Sequence, residues 1–293
     1  MSNRSRRLRV VAFLAIANAP LSIAAEVAGH YDGPIIDIHA HLRLGDEPPV
    51  APGHAAGTEA LRKLDDAAGV ARSALIVIAQ KGAIEATRAK NDAVLKTAKE
   101  SGGRFFPIVS VHPHDGAAAL AELERVAKLG ARIVKLHPNT QNFDVDDPAV
   151  GEVIERCGVL NLAVLMDSFK PWDADQPGKF LKLALAHPRT KLILAHMGHS
   201  QFRQFLSFGM LKKLGMQTNV FFDTSALATA FADSPLEAEL VWVMRQVGMD
   251  RMLFGSDWPV DTPAAAIDAV RRLGLDRNEE QLVLHDNAAA LLP

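Results

Sequence analysis

Two histidines, His39 and His41, stand one residue apart at the end of an apolar run, Ile35-Ile36-Asp37-Ile38-His39-Ala40-His41. An extended strand points alternate side chains to the same face, so this spacing aims both imidazoles in one direction. Two imidazoles side by side at a strand end make two corners of a metal site. A carboxylate or a third histidine would complete it.

The elements that must position such a pair repeat along the chain. Apolar, β-rich runs are predicted at 34–40, 73–79, 105–111, 132–137, 162–167, 191–196, 219–224 and 251–256. Between them lie helical patterns. Gly116 to Leu129 carries Leu120, Leu123, Val126 and Ala127 on one face, and Leu236 to Val247, Lys90 to Glu100, Val150 to Gly158 and Pro263 to Leu273 read similarly. Thr262 is placed to cap the last of these, with proline in its first turn. Near-continuous apolar strands separated by helices imply a parallel sheet covered on both faces. Eight such units predict a single-domain α/β protein, a (β/α)8 TIM barrel. An open doubly wound sheet is the alternative, but no Gly-x-Gly-x-x-Gly follows the first strand. The Pro- and Gly-rich segment 45–57 reads as a long loop beside the site.

In a barrel the chemistry gathers at the C-terminal ends of the strands. Those ends carry His39 and His41 on the first strand, His112 past the third, and Lys135 and His137 on the fourth. The fifth ends in Asp167, the sixth in His196 and the eighth in Asp257. Lys135 is expected to point into the barrel and to pair with Asp167, Asp257 or a substrate carboxylate. His137 is expected to touch substrate or a ligand. Trp172, five residues past Asp167, can form an aromatic wall. His114 reads as a surface residue, and His30, His54, His187 and His285 as residues without a part in the chemistry.

The order of these motifs resembles the amidohydrolase-related family of metal-dependent TIM-barrel hydrolases and decarboxylases. The resemblance runs from Ile35 to the C-terminus. It is carried by Ile36-Asp37-Ile38-His39-Ala40-His41, by Arg104-Phe105-Phe106-Pro107 leading to Val111-His112-Pro113, and by Val134-Lys135-Leu136-His137-Pro138. Ile193-Leu194-Ala195-His196-Met197-Gly198, Leu253-Phe254-Gly255-Ser256-Asp257-Trp258-Pro259 and a closing Asn287-Ala288-Ala289 continue it. The resemblance implies one divalent metal, zinc or alternatively manganese, on His39 and His41. It implies that Asp257 is a ligand or the base that takes a proton from water, and that His196 polarises or protonates the substrate. In Ala163-Val164-Leu165-Met166-Asp167 the family commonly has a histidine where this chain has Asp167, so Asp167 becomes a candidate carboxylate ligand.

The expected activity is hydrolysis of an ester, lactone or amide of a small molecule. Non-oxidative decarboxylation of an aromatic or unsaturated acid is the alternative, and a non-catalytic binding barrel is a third reading. The absence of an arginine immediately beside a proposed strand-end ligand favours hydrolysis over decarboxylation.

The first 24 residues differ from the rest. Arg4, Arg6, Arg7 and Arg9 precede a mostly apolar stretch from Val10 to Ile23, with small residues at 22–24. This reads as a secretory signal peptide ahead of a domain at 25–293, and it predicts export, to the periplasm. Its removal takes Lys+Arg from 32 to 28 against 34 acids, a mature charge of about −6. No basic patch argues for nucleic acid, and no apolar run is long enough for stable membrane insertion after cleavage. A homo-oligomer is left open. The single cysteine, Cys157, falls in a predicted helix and cannot form an internal disulfide.

Overall fold

The computed structural model describes residues 29–43, 57–216 and 219–292. The predicted signal peptide, His54 and most of the predicted loop at 45–57 lie outside the described residues.

Eight parallel strands follow one another in consecutive order around a single sheet: β1 (Ile35–Asp37), β2 (Val70–Ile76), β3 (Phe105–Ser110), β4 (Ile133–Leu136), β5 (Ala163–Asp167), β6 (Leu192–Ala195), β7 (Val220–Asp223) and β8 (Met252–Leu253). All eight predicted strands are present, several of them shorter than their apolar runs. β2 begins three residues earlier than expected. Gly69, in the left-handed region at φ 75°, ends the preceding helix abruptly and frees Val70 to start the strand.

The ring closes between β1 and β8 by scattered bonds rather than a regular ladder. Ile38 N–H donates to Phe254 O at 3.0 Å, Asp257 N–H to His39 O at 2.7 Å and His41 N–H to Trp258 O at 2.8 Å. The buried carboxylate of Asp37 reinforces this seam. It accepts Ser256 Oγ–H at 2.6 Å and the backbone N–H groups of Ser256 and His39 at 3.0 and 2.9 Å. Burial pushes the Asp37 carboxyl up to about 7 despite these bonds.

Helices cover the outside: α1 (Thr58–Ala68), α2 (Ile84–Glu100), α3 (Ala117–Lys128), α4 (Pro148–Val159), α5 (Gln176–Ala186), α6 (Leu206–Lys213), α7 (Leu227–Phe231), α8 (Glu237–Val247), α9 (Pro263–Arg272), α10 (Arg277–Gln281) and α11 (Asn287–Leu291). Their caps follow the sequence. Thr262 Oγ1 accepts Ala265 N–H at the start of α9, and Asp147 accepts Ala149 N–H at the start of α4, each with proline in the first turn. Cys157 is buried on α4, where desolvation pushes its thiol up, as befits a packed apolar side chain.

Alternation along each strand divides the core in two. Val134, Leu136, Val164, Met166, Leu194 and Phe222 pack outward with the helices. Ile36, Ile38, Ala74, Ile76, Ile108, Leu165, Ile193 and Leu253 fill the barrel interior, closed from below by Leu291 and Leu292. The same parity places Lys135, Asp167 and Asp223 inward at the upper ends of β4, β5 and β7. No helix among the described residues is long and apolar enough to cross a membrane.

Candidate metal centre and acid–base site

Three donor atoms meet across the seam. His39 Nε2 and His41 Nε2 lie 3.2 Å apart, and each is 3.3 Å from Asp257 Oδ1. Tetrahedral coordination with bonds of ~2.0–2.1 Å separates its ligand atoms by roughly 3.3–3.4 Å, so this triangle has the dimensions of one face of such a site. The residues therefore fit a divalent cation.

The protonation of the triangle is set from behind. His39 Nδ1–H donates to Asp223 Oδ2 at 2.9 Å, which leaves Nε2 with its lone pair facing the triangle. Burial pushes His41 down to about 4, so its ring is neutral near pH 7, although Asp257 pulls the other way. Asp257 is held well below the ordinary carboxylate range. Its burial is overcome by His39, His41 and His196. Gly255 lets the chain pass behind this group, because a Cβ there would come within 2.7 Å of His39 Cβ and 3.2 Å of Ser225 Cβ. Asp257 itself sits in the left-handed region at φ 57°. Such a backbone costs a non-glycine residue ~1–2 kcal/mol, and the surrounding bonds hold it there.

A second group stands opposite. His196 Nε2–H donates to Asp167 Oδ2 at 3.1 Å and Nδ1–H donates to Ser225 O at 2.9 Å. With an acceptor on each ring nitrogen, the ring is held as a cation. Burial opposes the charge, but the Asp167 bond and the charges of Asp167, Asp257 and Asp223 prevail and push His196 up to about 10. Asp167 is correspondingly held well below its ordinary range against its own burial. His137 Nε2 lies 3.6 Å from the same Asp167 oxygen, while desolvation keeps His137 down at about 4.

Backbone geometry fixes this second group. His196, Met197, Gly198 and His199 all take positive φ, at 62°, 43°, 72° and 49°. Ser168 Oγ, bonded to Ala195 O, accepts Gly198 N–H at 2.8 Å and ties this turn to the end of β5.

The two groups are bridged. The His39 and His196 rings stack with centroids 5.1 Å apart, and Ser225 Oγ lies 3.1 and 3.0 Å from their Nδ1 atoms while bonding Asp223. Lys135, wholly buried, brings Nζ to 3.1 Å from His39 Nε2. Burial lowers its affinity for a proton, against the pull of Asp167, Asp257 and Asp223.

The structure thus gathers His39, His41, Lys135, His137, Asp167, His196 and Asp257. Asp167 faces His196 and His137 and is not part of the His39–His41–Asp257 triangle. Trp172 is 73% exposed and makes none of these contacts. His112 bonds Gln141 O at 2.7 Å, and His114 bonds Asp147 at 2.8 Å rather than standing free on the surface. The strand-end reading misses Asp223, which with His39 and His196 forms a second cluster of metal-competent donors, and with it Ser225, Ser168 and Asp37. The signal for Asp223 is present in the chain, as an acid closing the apolar run Val220-Phe221-Phe222. It also misses Arg43, two residues past His41. Arg43 lines the same cavity as His41 and removes the sequence argument that no arginine lies beside a ligand.

Comparison with solved structures places the chain among known barrels. It superposes on 2,6-dihydroxybenzoate decarboxylase from Rhizobium with a TM-score of 0.68 at 18% identity, over 89% of this chain and 98% of that one. Dihydroxybenzoic acid decarboxylase from Polaromonas sp. JS666, which holds manganese and 2-nitroresorcinol, gives 0.68 at 18% identity, over 89% and 97%. A protein from Pseudomonas putida assigned as a 2-pyrone-4,6-dicarboxylic acid hydrolase gives 0.66 at 20% identity, over 88% and 97%. At these identities the likeness establishes the fold. No curated protein matches in sequence. The family model for amidohydrolases, however, matches residues 36–293, and the chain belongs to the amidohydrolase family.

Proposed function

We propose that the protein is a metal-dependent hydrolase acting on an ester, lactone or amide carbonyl of a small molecule. The observation that carries this reading is the triangle of His39 Nε2, His41 Nε2 and Asp257 Oδ1, spaced as ligands are. Two imidazoles and one carboxylate suit zinc, and they also suit manganese, the metal in the Polaromonas decarboxylase. When bound there, the cation supplies Lewis acidity and a water acidic enough to ionise near neutral pH.

The chain's own residues supply the remaining chemistry. Asp257, ionised at the edge of the triangle, accepts the proton of the attacking water and returns it to the leaving group. His196, cationic and clamped between Asp167 and Ser225, presents positive charge to the carbonyl oxygen as it gains negative charge. Asp223 keeps His39 in the tautomer that can bind a metal. Lys135 offsets the three carboxylates of the chamber, Asp167, Asp223 and Asp257.

A second reading, non-oxidative decarboxylation, is favoured by one observation, the cation Arg43 in the cavity that opens at His41. In that reaction His196 is the acid that delivers a proton to carbon. The arginine-led, apolar start of the chain supports export to the periplasm, where a protein with a single buried cysteine needs no disulfide.

Elemental analysis of protein purified without chelator tests the reading, with His39→Ala alongside and a panel of esters, lactones, amides and aromatic acids as substrates. Near one equivalent of zinc or manganese, lost in the variant, with metal-dependent hydrolysis, is the expected result. Carbon dioxide release from an acid without hydrolysis of any ester would establish the second reading. Failure to retain metal after reconstitution would overturn both.

A further inference from the structure

His112, buried past the end of β3, touches Gln141, 29 residues further along the chain. Its Nε2–H donates to Gln141 O at 2.7 Å, and its Nδ1 accepts His114 N–H at 3.2 Å. A backbone N–H can only donate and a carbonyl can only accept, so these partners select the tautomer with the proton on Nε2.

Gln141 is buried as well, and each of its polar atoms is bonded. Its Nε2 donates to Ala79 O at 3.1 Å and to Val111 O at 2.9 Å. Its Oε1 accepts His137 N–H at 2.8 Å, and its own N–H donates to His137 O at 2.8 Å. One residue thus ties the segments leaving β2 and β3 to the residue that follows β4. Ser110 adds a second stitch at the same level, its Oγ accepting Ala79 N–H at 3.0 Å and donating to Lys135 O at 2.9 Å.

His137 is therefore fixed through its backbone on both sides, and its ring is fixed by the same turn. Its Nδ1 accepts Thr140 N–H at 3.4 Å, which places the proton on Nε2. Burial keeps the ring uncharged near pH 7. Nε2 stands 3.6 Å from Asp167 Oδ2, an oxygen that already takes His196 Nε2–H at 3.1 Å. A separation of 3.6 Å is too long for a hydrogen bond, so among the described residues this N–H has no bonded partner. The side chain is 19% exposed, which leaves room for a ligand atom to reach it.

We infer that His112 and Gln141 are a positioning pair that holds the Nε2–H of His137 in the chamber as a hydrogen-bond donor to an oxygen of the substrate. This role rests on the reading given under Proposed function and adds a donor to the same site. His196 brings charge there, and His137 brings a neutral dipole whose direction is set before substrate arrives. A donor aimed in advance needs no reorganisation as negative charge grows on the substrate oxygen. The pair lies outside the His39–His41–Asp257 triangle, so the ring is held whether or not metal is bound.

Heteronuclear NMR of the His137 ring nitrogens in chelator-stripped full-length protein tests the pair apart from catalysis, with the resonances assigned by their absence in His137→Phe. The expected wild-type result is two widely separated nitrogens with the proton on Nε2. In His112→Phe and in Gln141→Met, averaging between tautomers should narrow that separation. His112→Gln, whose amide nitrogen stands near the place of the imidazole Nε2, should restore it. In zinc-loaded protein with phenyl acetate as the probe, His137→Phe should lower kcat roughly 10²-fold or more. His112→Phe should lower kcat roughly 10- to 100-fold with a smaller change in KM, and His112→Gln should recover part of the loss. Metal content should stay unchanged in every variant. Circular dichroism melts confirm that the barrel is folded, and Gln141→Met, which keeps the side-chain volume, carries the same comparison should His112→Phe not fold. A wild-type proton on Nδ1 would overturn the inference, as would ring nitrogens and kcat unaltered in both His112→Phe and Gln141→Met. Wild-type kcat in His137→Phe would overturn the donor role. A wild-type protein that turns over no ester, with its ring nitrogens behaving as expected, would instead count against the hydrolase reading alone.

Discussion

The two halves of the chamber are built from the same residue types and do opposite things with protons. On the β1–β8 side, His39 and His41 turn Nε2 toward a carboxylate, and burial drives His41 down to about 4. On the β4–β6 side, His196 faces a carboxylate with both nitrogens protonated, and its pKa rises to about 10. Each histidine is buried or half-buried, so burial alone does not decide. The difference lies behind the rings. Asp223 accepts from Nδ1 of His39 and the other nitrogen meets Lys135 Nζ and the triangle, whereas His196 finds a backbone carbonyl on one nitrogen and Asp167 on the other. Desolvation wins at His41, where Asp257 is the one acid and Lys135 and His39 push the same way as burial, and loses at His196, where several acids converge.

The sharpest way to break the comparison is to remove the carboxylate of the first half. Asp257→Asn should strip the metal and lower turnover by roughly 10³-fold or more, read by elemental analysis and kinetics on the same sample. His196→Gln should leave metal content unchanged and still cost ~10²–10⁴-fold in turnover, read as a fall in kcat at constant metal occupancy. Metal loss in that variant would mean that the halves are not separable.

Asp223→Asn should weaken metal affinity by ~10–100-fold in a chelator competition, since the amide no longer fixes the His39 tautomer. Asp167→Asn tests the other half more gently. Metal content should stay the same, and the His196 titration followed by NMR should fall from about 10 toward 6.5. The sign for stability follows. The folded chain holds the His196 proton more tightly than the unfolded chain does. The pair's contribution is therefore complete below about 6.5 and disappears as pH rises through about 10. Thermal melts across that window should fall less steeply in Asp167→Asn than in the wild type. The smallest effect is expected from Gly255→Ala, a Cβ pressed against His39, at ~1–3 kcal/mol of stability in denaturant melts and some loss of metal affinity.

Most of the barrel is legible in the sequence because parallel strands buried on both faces leave an unbroken apolar run, and the runs repeat. The strand ends are legible for the same reason. A polar residue that stops such a run, as Asp167 stops Ala163 to Met166, has few places to point except the chamber. Asp223 obeys the same rule, and its importance is nonetheless hidden, because its partner His39 is 184 residues away and only the closed ring brings them within 2.9 Å. The charge on His196 is hidden too. It depends on a carboxylate 29 residues earlier and on a carbonyl, Ser225 O, that no side-chain pattern reports. Asp37 looks like an interruption in a strand, yet it holds Ser256 across the seam. Arg43 carries a readable signal in the two-residue interval, but only the cavity shows that it shares a wall with His41.

The seam between β1 and β8 sets an order of events during synthesis. His39 and His41 leave the ribosome well before Asp257, so a chain released before β8 holds two-thirds of the triangle and nothing to close it. Strands β2 to β7 can pair in sequence as they emerge, but the ring can be stitched only at the end. Whatever settles among the three donors bridges the first strand to the last. It is then a clasp on the barrel as well as a participant in its chemistry, and its loss should be felt first at the seam.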